Sequence, residues 1–173
     1  MTARRSAALL LALAGLVVPA GCDPPPPVGK EQGHTCPQIA GPDVDGNPVR
    51  LTDLRGNVVM VSFWGTWCPP CRANLPHERT MIERDYKGRP LAILGVALDP
   101  PGRLREFLKA NPVPWPNIVD DRGALCNDWG IHSFPSVVLV DHRGVIRRVW
   151  NGGLDPADLR AEIKRLVDRA EQD

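Results

Sequence analysis

The sequence predicts an α/β protein in which helices cover both faces of a central mixed sheet. Two observations indicate this fold class. From residue 58 onward, short apolar runs alternate with segments of helical periodicity, as in units where a helix connects two parallel strands. Near the carboxyl terminus, two strand-like runs flank a turn at residues 141–144 and are followed by a helix. This end of the chain therefore predicts a β-hairpin and a terminal helix.

The predicted elements follow one another in a regular order. The central strands are almost continuously apolar, which is typical of strands buried on both faces. The predicted strands comprise residues 49–51, 58–63, 91–98, 117–119, 136–140 and 145–150. The predicted helices comprise a segment from near residue 68 to residue 86, residues 101–110, residues 123–129 and a last segment from residue 155. We expect Pro76 to kink the first helix and Asp155 to cap the last.

The amino terminus has the pattern of an export signal. Arg4 and Arg5 precede an apolar segment that is short for a bilayer span. Residues 20–22 end in Cys22 and resemble the lipobox of bacterial lipoproteins, whose cysteine becomes diacylated, although Pro19 stands where leucine is usual. We therefore expect residues 1–21 to be a lipoprotein-type signal peptide and Cys22 to be lipidated. An ordinary signal peptide followed by a chance cysteine is the alternative.

Composition divides the remaining chain into a tether, one domain and a tail. A run of prolines at residues 24–27 predicts a stiff spacer within residues 22–35. Residues 36–169 suffice for one domain with its own core, and residues 170–173 remain as a tail. The chain has 21 Lys and Arg against 20 Asp and Glu, a balance that gives no electrostatic case for nucleic acid. We expect an exported, lipid-anchored monomer on the periplasmic or cell-envelope side of a membrane.

Two cysteines three positions apart are the most informative feature of the chain. Cys68 and Cys71 follow a strand pattern and precede a helical one, which predicts both sulfurs at a helix amino terminus. There, unpaired backbone N–H groups and the helix dipole favour a thiolate. A thiolate can attack a disulfide, and the neighbouring thiol can resolve the adduct. The pair therefore predicts thiol–disulfide exchange through a dithiol/disulfide cycle.

Two further cysteines, Cys36 and Cys126, leave two interpretations open. In an exported protein they could form a structural disulfide with each other. Alternatively, Cys126 is a small buried helix residue and Cys36 a free thiol. The geometry of a disulfide requires the two residues to lie close together in the fold.

The chain resembles the thioredoxin superfamily. The resemblance rests on residues 63–71 (FWGTWCPPC), Pro76 and residues 130–136 (GIHSFPS), and it continues through the final hairpin. The connection between the strand ending near residue 98 and the helix before Trp129 is longer than in thioredoxin, which implies an inserted helix and strand. This insertion and an added strand region before residue 58 resemble the membrane-anchored TlpA/ResA group of thiol–disulfide oxidoreductases, which is related to AhpC/TSA proteins.

The resemblance implies roles for the residues around the dithiol. Cys68 would be the exposed nucleophile that forms a mixed disulfide with a protein substrate, and Cys71 would release the reduced substrate. The Phe134–Pro135 peptide bond would be cis, and the Phe134 backbone would pair with bound substrate like a strand. Trp67 would shield the sulfur of Cys68 and offer an apolar contact surface.

Two positions depart from the family by lacking a carboxylate. Ser62 stands where thioredoxin has a buried acid, and Asn74 stands where the TlpA/ResA group often has a glutamate. Either acid could accept the proton of the resolving thiol. Glu78 follows one helical turn later, and we expect its side chain to be solvated. Deprotonation of Cys71 would then rely on water, or the resolving step would be slow.

The double proline between the cysteines bears on the direction of electron flow. Pro69 and Pro70 have no N–H, so the helix start has fewer donors to stabilise a thiolate. A less stabilised thiolate makes the disulfide less oxidising. We therefore expect a reductase of exported protein disulfides that uses no cofactor and is recharged by a membrane electron donor.

Two other functions occur on related folds. Sco-like copper proteins use two cysteines and a distant histidine, which here would be Cys68, Cys71 and His132, but their cysteines have three residues between them and not two. A thiol peroxidase of the peroxiredoxin type has a Thr-x-x-Cys pattern, whereas Thr66 lies only two residues before Cys68. We therefore expect no metal at the dithiol.

Overall fold

A five-stranded mixed sheet forms the centre of the molecule. The structure, a computed structural model, describes residues 25–173. The sheet contains β3 (Val58–Trp64), β4 (Leu91–Ala97), β5 (Asn117–Val119), β6 (Ser136–Val140) and β7 (Ile146–Asn151), and a separate two-stranded sheet contains β1 (Ala40–Pro42) and β2 (Pro48–Arg50). The helices are α1 (Pro69–Thr80), α2 (Pro101–Ala110), α3 (Ala124–Asp128) and α4 (Pro156–Ala170). The predicted α/β class is confirmed.

The strand order β5-β4-β3-β6-β7 places the strand that leads to the dithiol in the middle of the sheet. Strand β3 is parallel to β4 and antiparallel to β6. All seven residues of β3 are buried, which explains the continuous apolar run that the sequence shows there. The dithiol therefore follows a strand that pairs with a neighbour on each side and is buried along its whole length.

Helices cover the two faces of the sheet unequally. One apolar cluster joins β3 to α1, α2 and α4 through residues such as Leu75, Leu104 and Ile163. The other cluster includes Cys126 of α3 and Ile39, which precedes the small β1–β2 sheet. The helix and strand that the resemblance implied after residue 98 are α2 and β5, and they lie on the α1 face and at the edge of the sheet, respectively.

The element boundaries agree with the predicted ones to within a few residues, with three differences. Strand β1 was not predicted as a separate element. Helix α1 ends at Thr80 and continues as a wider π-helical turn, Met81–Asp85. Strand β7 begins one residue later than predicted. The expected cap of α4 is confirmed, because the Asp155 carboxylate accepts a hydrogen bond from the Ala157 N–H at 2.8 Å.

Part of the predicted tether is hydrogen-bonded to the domain. The N–H of Gly33 donates to the carbonyl of Ile146 at 2.8 Å, and Thr35 forms an isolated bridge with Val145. The predicted tail is also in contact, since Asp173 lies 2.8 Å from the Arg143 guanidinium. The predicted signal peptide and Cys22 lie outside the described residues. Within residues 25–173, no helix has the length and apolar character needed to cross a membrane.

Candidate active site

The two predicted cysteines lie at the start of α1, directly beyond the end of β3. They are joined as a disulfide with their Cα atoms 5.3 Å apart. Cys68 occupies the capping position, and its Sγ accepts a hydrogen bond from the backbone N–H of Cys71 at 3.2 Å. Pro69 and Pro70 form the first two helical positions and have no N–H to offer. One backbone donor therefore faces the Cys68 sulfur where a proline-free helix start would present more.

The prediction that Cys68 is exposed is wrong for this disulfide-bonded structure. Cys68 and Cys71 are each only 3 % exposed, whereas Trp67 is 47 % exposed. The rings of Trp67 and Phe134 form an edge-to-face pair with centroids 5.3 Å apart, and Phe134 packs against the cluster that contains both cysteines. This packing leaves the Trp67 ring far more accessible than the Cys68 sulfur beside it.

The turn before Cys68 is held by the end of β4. The Asp99 carboxylate is 1 % exposed and accepts hydrogen bonds from the backbone N–H of Thr66 at 2.6 Å and from its hydroxyl at 2.7 Å. The indole N–H of Trp67 donates to the carbonyl of Leu98 at 2.9 Å. Asp99 was not predicted as a site residue, although an acid just after the strand parallel to β3 was a usable signal.

The loop before β6 lies across from the dithiol. Its Phe134–Pro135 peptide bond is cis, as the resemblance implied. The Ser136 hydroxyl donates to the Ser133 carbonyl at 2.6 Å and accepts from the Gly152 N–H at 3.0 Å. Ser136 is fully buried, so these bonds fix the carboxyl end of the loop.

Asn151 holds the other end of the same loop. Its amide donates to the Gly130 carbonyl at 2.7 Å, and its side-chain oxygen accepts from the His132 N–H at 3.4 Å. The last residue of β7 therefore connects the hairpin to the loop that presents Phe134. Asn151 was not predicted as a site residue, because an asparagine at a strand end carries no signal without the tertiary arrangement.

The residues that replace the family carboxylates are not titratable, and the nearest acid on α1 is not freely solvated. Ser62 is buried and Asn74 is half-buried. Glu78 shares a helical stripe with Cys71 and Leu75, because the three residues are four and three positions apart. Glu78 is half-buried, and burial raises the pKa of its carboxyl to about 7. The expectation that Glu78 is solvated is therefore wrong.

Cys36 and Cys126 are both buried, and both are free thiols in the structure. The structural disulfide between them, one of the two interpretations of the sequence, is therefore not formed. Burial raises the pKa of each thiol to about 12, and the hydrogen bond with Asp120 adds to the effect at Cys126. Both residues belong to the same apolar cluster, where they pack as small hydrophobic side chains.

His132 is exposed and does not complete a ligand set with the two active-site sulfurs. In the part of the chain that the structure describes, no three His, Cys, Asp or Glu side chains are placed to hold a metal ion. The arrangement of Cys68, Cys71 and His132 that a Sco-like copper site needs is therefore not formed here.

A redox-active cysteine pair at a helix start, opposite a cis-proline loop on a five-stranded mixed sheet, defines a thioredoxin-like thiol–disulfide oxidoreductase. Comparison with known families agrees with this class. The AhpC/TSA family matches residues 32–149, and the chain belongs to this family.

Individual relatives narrow the resemblance to the ResA-like branch of the thioredoxin superfamily. The chain is 27 % identical to the thiol-disulfide oxidoreductase ResA of Geobacillus thermodenitrificans over 78 % of its length and 77 % of the relative. A crystal structure described as a thiol:disulfide interchange protein DsbE from Chlorobium tepidum is 29 % identical, with a TM-score of 0.69 over 81 % of this chain and 97 % of that one. The pneumococcal exposed lipoprotein thioredoxin Etrx1 of Streptococcus pneumoniae is 25 % identical, with a TM-score of 0.63 over 75 % of this chain and all of that one.

Proposed function

We propose that this oxidoreductase works as a reductase of disulfides in exported proteins. The observation that carries the proposal is the helix start, where the Cys71 N–H is the one donor to the Cys68 sulfur among residues 25–173 and both intervening residues are proline. A thiolate with few donors is less stabilised, and a dithiol with a less stable thiolate gives up its electrons more readily.

The cycle uses the two sulfurs in turn. The Cys68 thiolate attacks one sulfur of the substrate disulfide, forms a mixed disulfide and displaces the other substrate sulfur as a thiolate. Cys71 then loses its proton and attacks the Cys68 sulfur, which forms the Cys68–Cys71 disulfide and releases the second substrate thiolate. Two electrons pass from the enzyme dithiol to the substrate, and solvent protonates the products. A membrane electron donor with its own dithiol would return the enzyme to the reduced state by the reverse exchange.

Trp67, Phe134 and Pro135 are proposed to contact the substrate. Trp67 offers an exposed ring beside Cys68, and its edge-to-face contact with Phe134 joins it to the loop across from the dithiol. The Phe134 backbone would pair with an extended substrate segment in the manner of an added strand. Such pairing favours polypeptide substrates over small disulfides, because main-chain hydrogen bonds contribute to binding.

The proton of Cys71 is proposed to leave through solvent. Ser62 and Asn74 stand where related proteins have a carboxylate, and neither can accept the proton as a carboxylate would. Glu78 lies seven positions beyond Cys71 on the helix. This distance along the axis, about 10 Å, is too long for direct transfer.

The protein is proposed to be exported and anchored by lipid at Cys22, acting as a monomer. The basic and apolar pattern at the amino terminus and the lipobox-like residues 20–22 support this location. The likeness to a pneumococcal exposed lipoprotein thioredoxin is consistent with it. Incorporation of labelled fatty acid into the wild-type chain, and its loss in Cys22→Ala, is the expected result. Equal labelling of the two chains would contradict the anchor.

Two measurements test the reductase. Equilibration of the purified protein with glutathione buffers is expected to give a reduction potential closer to that of thioredoxin than to that of a strong periplasmic oxidant. In cells, Cys71→Ser is expected to accumulate mixed disulfides with exported proteins, whereas Cys68→Ser forms none. A potential in the oxidant range would reverse the direction. Failure of Cys71→Ser to trap any protein, together with no reduction of insulin, would refute the proposal.

A further inference from the structure

A groove runs along α1 from the active site toward the far end of the helix. Its volume is about 910 Å³, and it lies between α1 and the inserted α2. The α1 wall begins at Pro69, the residue next to Cys68, and continues through Arg72, Pro76 and Arg79. Successive residues of this set lie three, four and three positions apart, so they form one stripe on the helix surface.

The opposite wall is mainly apolar. Phe107 of α2 and Val113 of the segment that follows supply apolar surface, and Asn111 adds an amide. Phe107 is half-buried, because its ring also packs at a tilt against Trp64, with centroids 5.7 Å apart. The wall is therefore anchored to the core and presents a fixed surface to the groove.

Two guanidinium groups give the groove a positive charge. The Arg72 guanidinium lies over the Phe107 ring at 5.9 Å from its centroid, and the Arg79 guanidinium donates to the Pro112 carbonyl. No Asp or Glu lines the groove, and within residues 25–173 neither arginine forms an ion pair. Stacking on an aromatic ring leaves the N–H edge of a guanidinium available to a carboxylate.

We propose that this groove binds the substrate polypeptide next to its disulfide and selects segments in which an acidic residue adjoins an apolar one. The inference rests on the proposed function, because it concerns the protein substrate of the same dithiol. The stripe from Pro69 to Arg79 spans about 15 Å along the helix axis, which matches four or five residues of an extended chain. A chain that lies in the groove leads directly to Cys68, since Pro69 forms its near end. The apolar side chain would contact Phe107, and the carboxylate would pair with Arg72 or Arg79.

The test measures selectivity between matched peptides. Three short peptides have one cysteine flanked on each side by leucine and then by aspartate, asparagine or lysine, and the cysteine carries thionitrobenzoate as a mixed disulfide. Fully reduced enzyme gives two electrons to each peptide disulfide, ends with its Cys68–Cys71 disulfide formed, and releases the peptide thiol and the coloured thionitrobenzoate. The second-order rate is divided by the rate with dithiothreitol, which removes the intrinsic reactivity of each peptide.

At low ionic strength, we expect the aspartate peptide to react about five-fold faster than the asparagine peptide, and the lysine peptide to be slowest. This preference should shrink toward unity at about 0.5 M salt, as expected for exposed charges. Arg72→Ala and Arg79→Ala should each lower the aspartate-to-asparagine ratio, and Arg72→Glu combined with Arg79→Glu should invert the order. Arg160→Ala, which removes an exposed arginine from α4, should leave the ratio unchanged.

The outcomes separate this inference from the reductase proposal. Because the readout is a ratio between peptides, a general effect of Arg72 on the neighbouring dithiol cancels. Equal rates for all three peptides, or a preference that the Arg72 and Arg79 variants retain, would overturn the groove assignment and leave the reductase intact. No reaction with any of the three peptides would count against the reductase itself.

Discussion

The Asp99 carboxylate accepts two hydrogen bonds from Thr66, at 2.6 Å from the backbone N–H and at 2.7 Å from the hydroxyl. Both residues are buried, and Thr66 lies two positions before Cys68. The end of β4 thereby fixes the turn that leads into the dithiol. Because a buried donor that loses its partner cannot turn to water, the bonds should matter for both stability and site geometry.

Asp99→Asn should therefore destabilise the protein by about 1–3 kcal/mol, since the amide oxygen can accept from the Thr66 N–H while the amide N–H₂ can only donate to the hydroxyl, whose own hydrogen then loses its acceptor. Thr66→Val, which removes only the hydroxyl bond, should lower the free energy of unfolding by about 1–2 kcal/mol. Urea denaturation measures both effects. Asp53→Asn, at an exposed aspartate, is the matched control and should change stability by less than about 0.5 kcal/mol. A similarly small change in Asp99→Asn would show that the bonds to Thr66 do not hold the turn.

Asn151 is predicted to position the loop that presents Phe134 to the substrate. Asn151→Ala removes the bonds to Gly130 and His132, and the loop should lose its fixed approach to the dithiol. We expect the KM for a protein disulfide to rise about 3–10-fold while the rate with glutathione disulfide changes less than about two-fold. Asn151→Asp keeps the acceptor and loses the donor, so its KM should be intermediate.

The control for this prediction is Asn127→Ala, which removes an exposed asparagine of α3 and should leave both rates unchanged. If Asn151→Ala slows the reactions with protein and small disulfides equally, the residue acts on the dithiol or the whole fold and not on substrate placement.

The raised pKa of the Glu78 carboxyl predicts that the stability of the protein depends on pH. Burial raises the pKa of its carboxyl to about 7 in the folded protein, while the unfolded chain ionises it near the ordinary value of about 4.3. Between these pH values the folded state binds more protons, so the contribution of Glu78 is fully present below the unfolded pKa and is lost as pH rises toward 7.

Glu78→Gln cannot ionise and should escape this loss. Relative to wild type, the variant should gain about 1–3 kcal/mol between pH 4.5 and pH 8, measured by urea denaturation across that range. The comparison with Glu83→Gln, at an exposed position, should show no such gain. A wild-type and Glu78→Gln difference that stays constant with pH would mean that Glu78 ionises as freely in the folded state as in the unfolded one.

Cys36 and Cys126 should be inert in the native protein. Burial raises the pKa of both thiols to about 12, so few thiolates are present at pH 8 and access is blocked. We expect iodoacetamide to label both residues rapidly in urea and at least roughly 100-fold more slowly under native conditions, as followed by mass spectrometry. Failure of both residues to label even in urea without reductant would instead indicate the disulfide that the structure lacks.

Local sequence patterns predicted most of the fold. The apolar run that became β3, the turn of the final hairpin and the cap at Asp155 each depend on neighbours in the chain, and all three were recovered. Strand β1 was missed because its three residues include a glycine and a proline, which are poor strand signals. Pairing with β2 across a turn stabilises β1 as a strand, although its composition does not favour one.

The sequence predicts only those features of the site that depend on the cysteine motif and on residues close to it in the chain. Spacing placed Cys68 and Cys71 at a helix start, and the structure has them there. The burial of Cys68, the hydrogen bonds of Asp99 and the raised pKa of the Glu78 carboxyl all arise from residues distant in sequence, so no local pattern predicts them. Members of the superfamily share the short motif but can differ in such tertiary contacts, and the motif alone does not indicate these differences.

The bridge between Thr35 and Val145 is the point where the amino-terminal segment joins the sheet. Its position sets the distance between this point and the end of the sheet that carries the dithiol. Val145 precedes the first residue of β7, and the six residues of that strand lead to Asn151 beside the loop that carries Phe134. At the usual rise per residue, this strand is about 20 Å long. If Cys22 is lipidated, the length of this strand adds to that of the spacer in separating the dithiol from the bilayer. Clients would then be met in the aqueous space above the membrane, at a distance from it that includes the length of this strand.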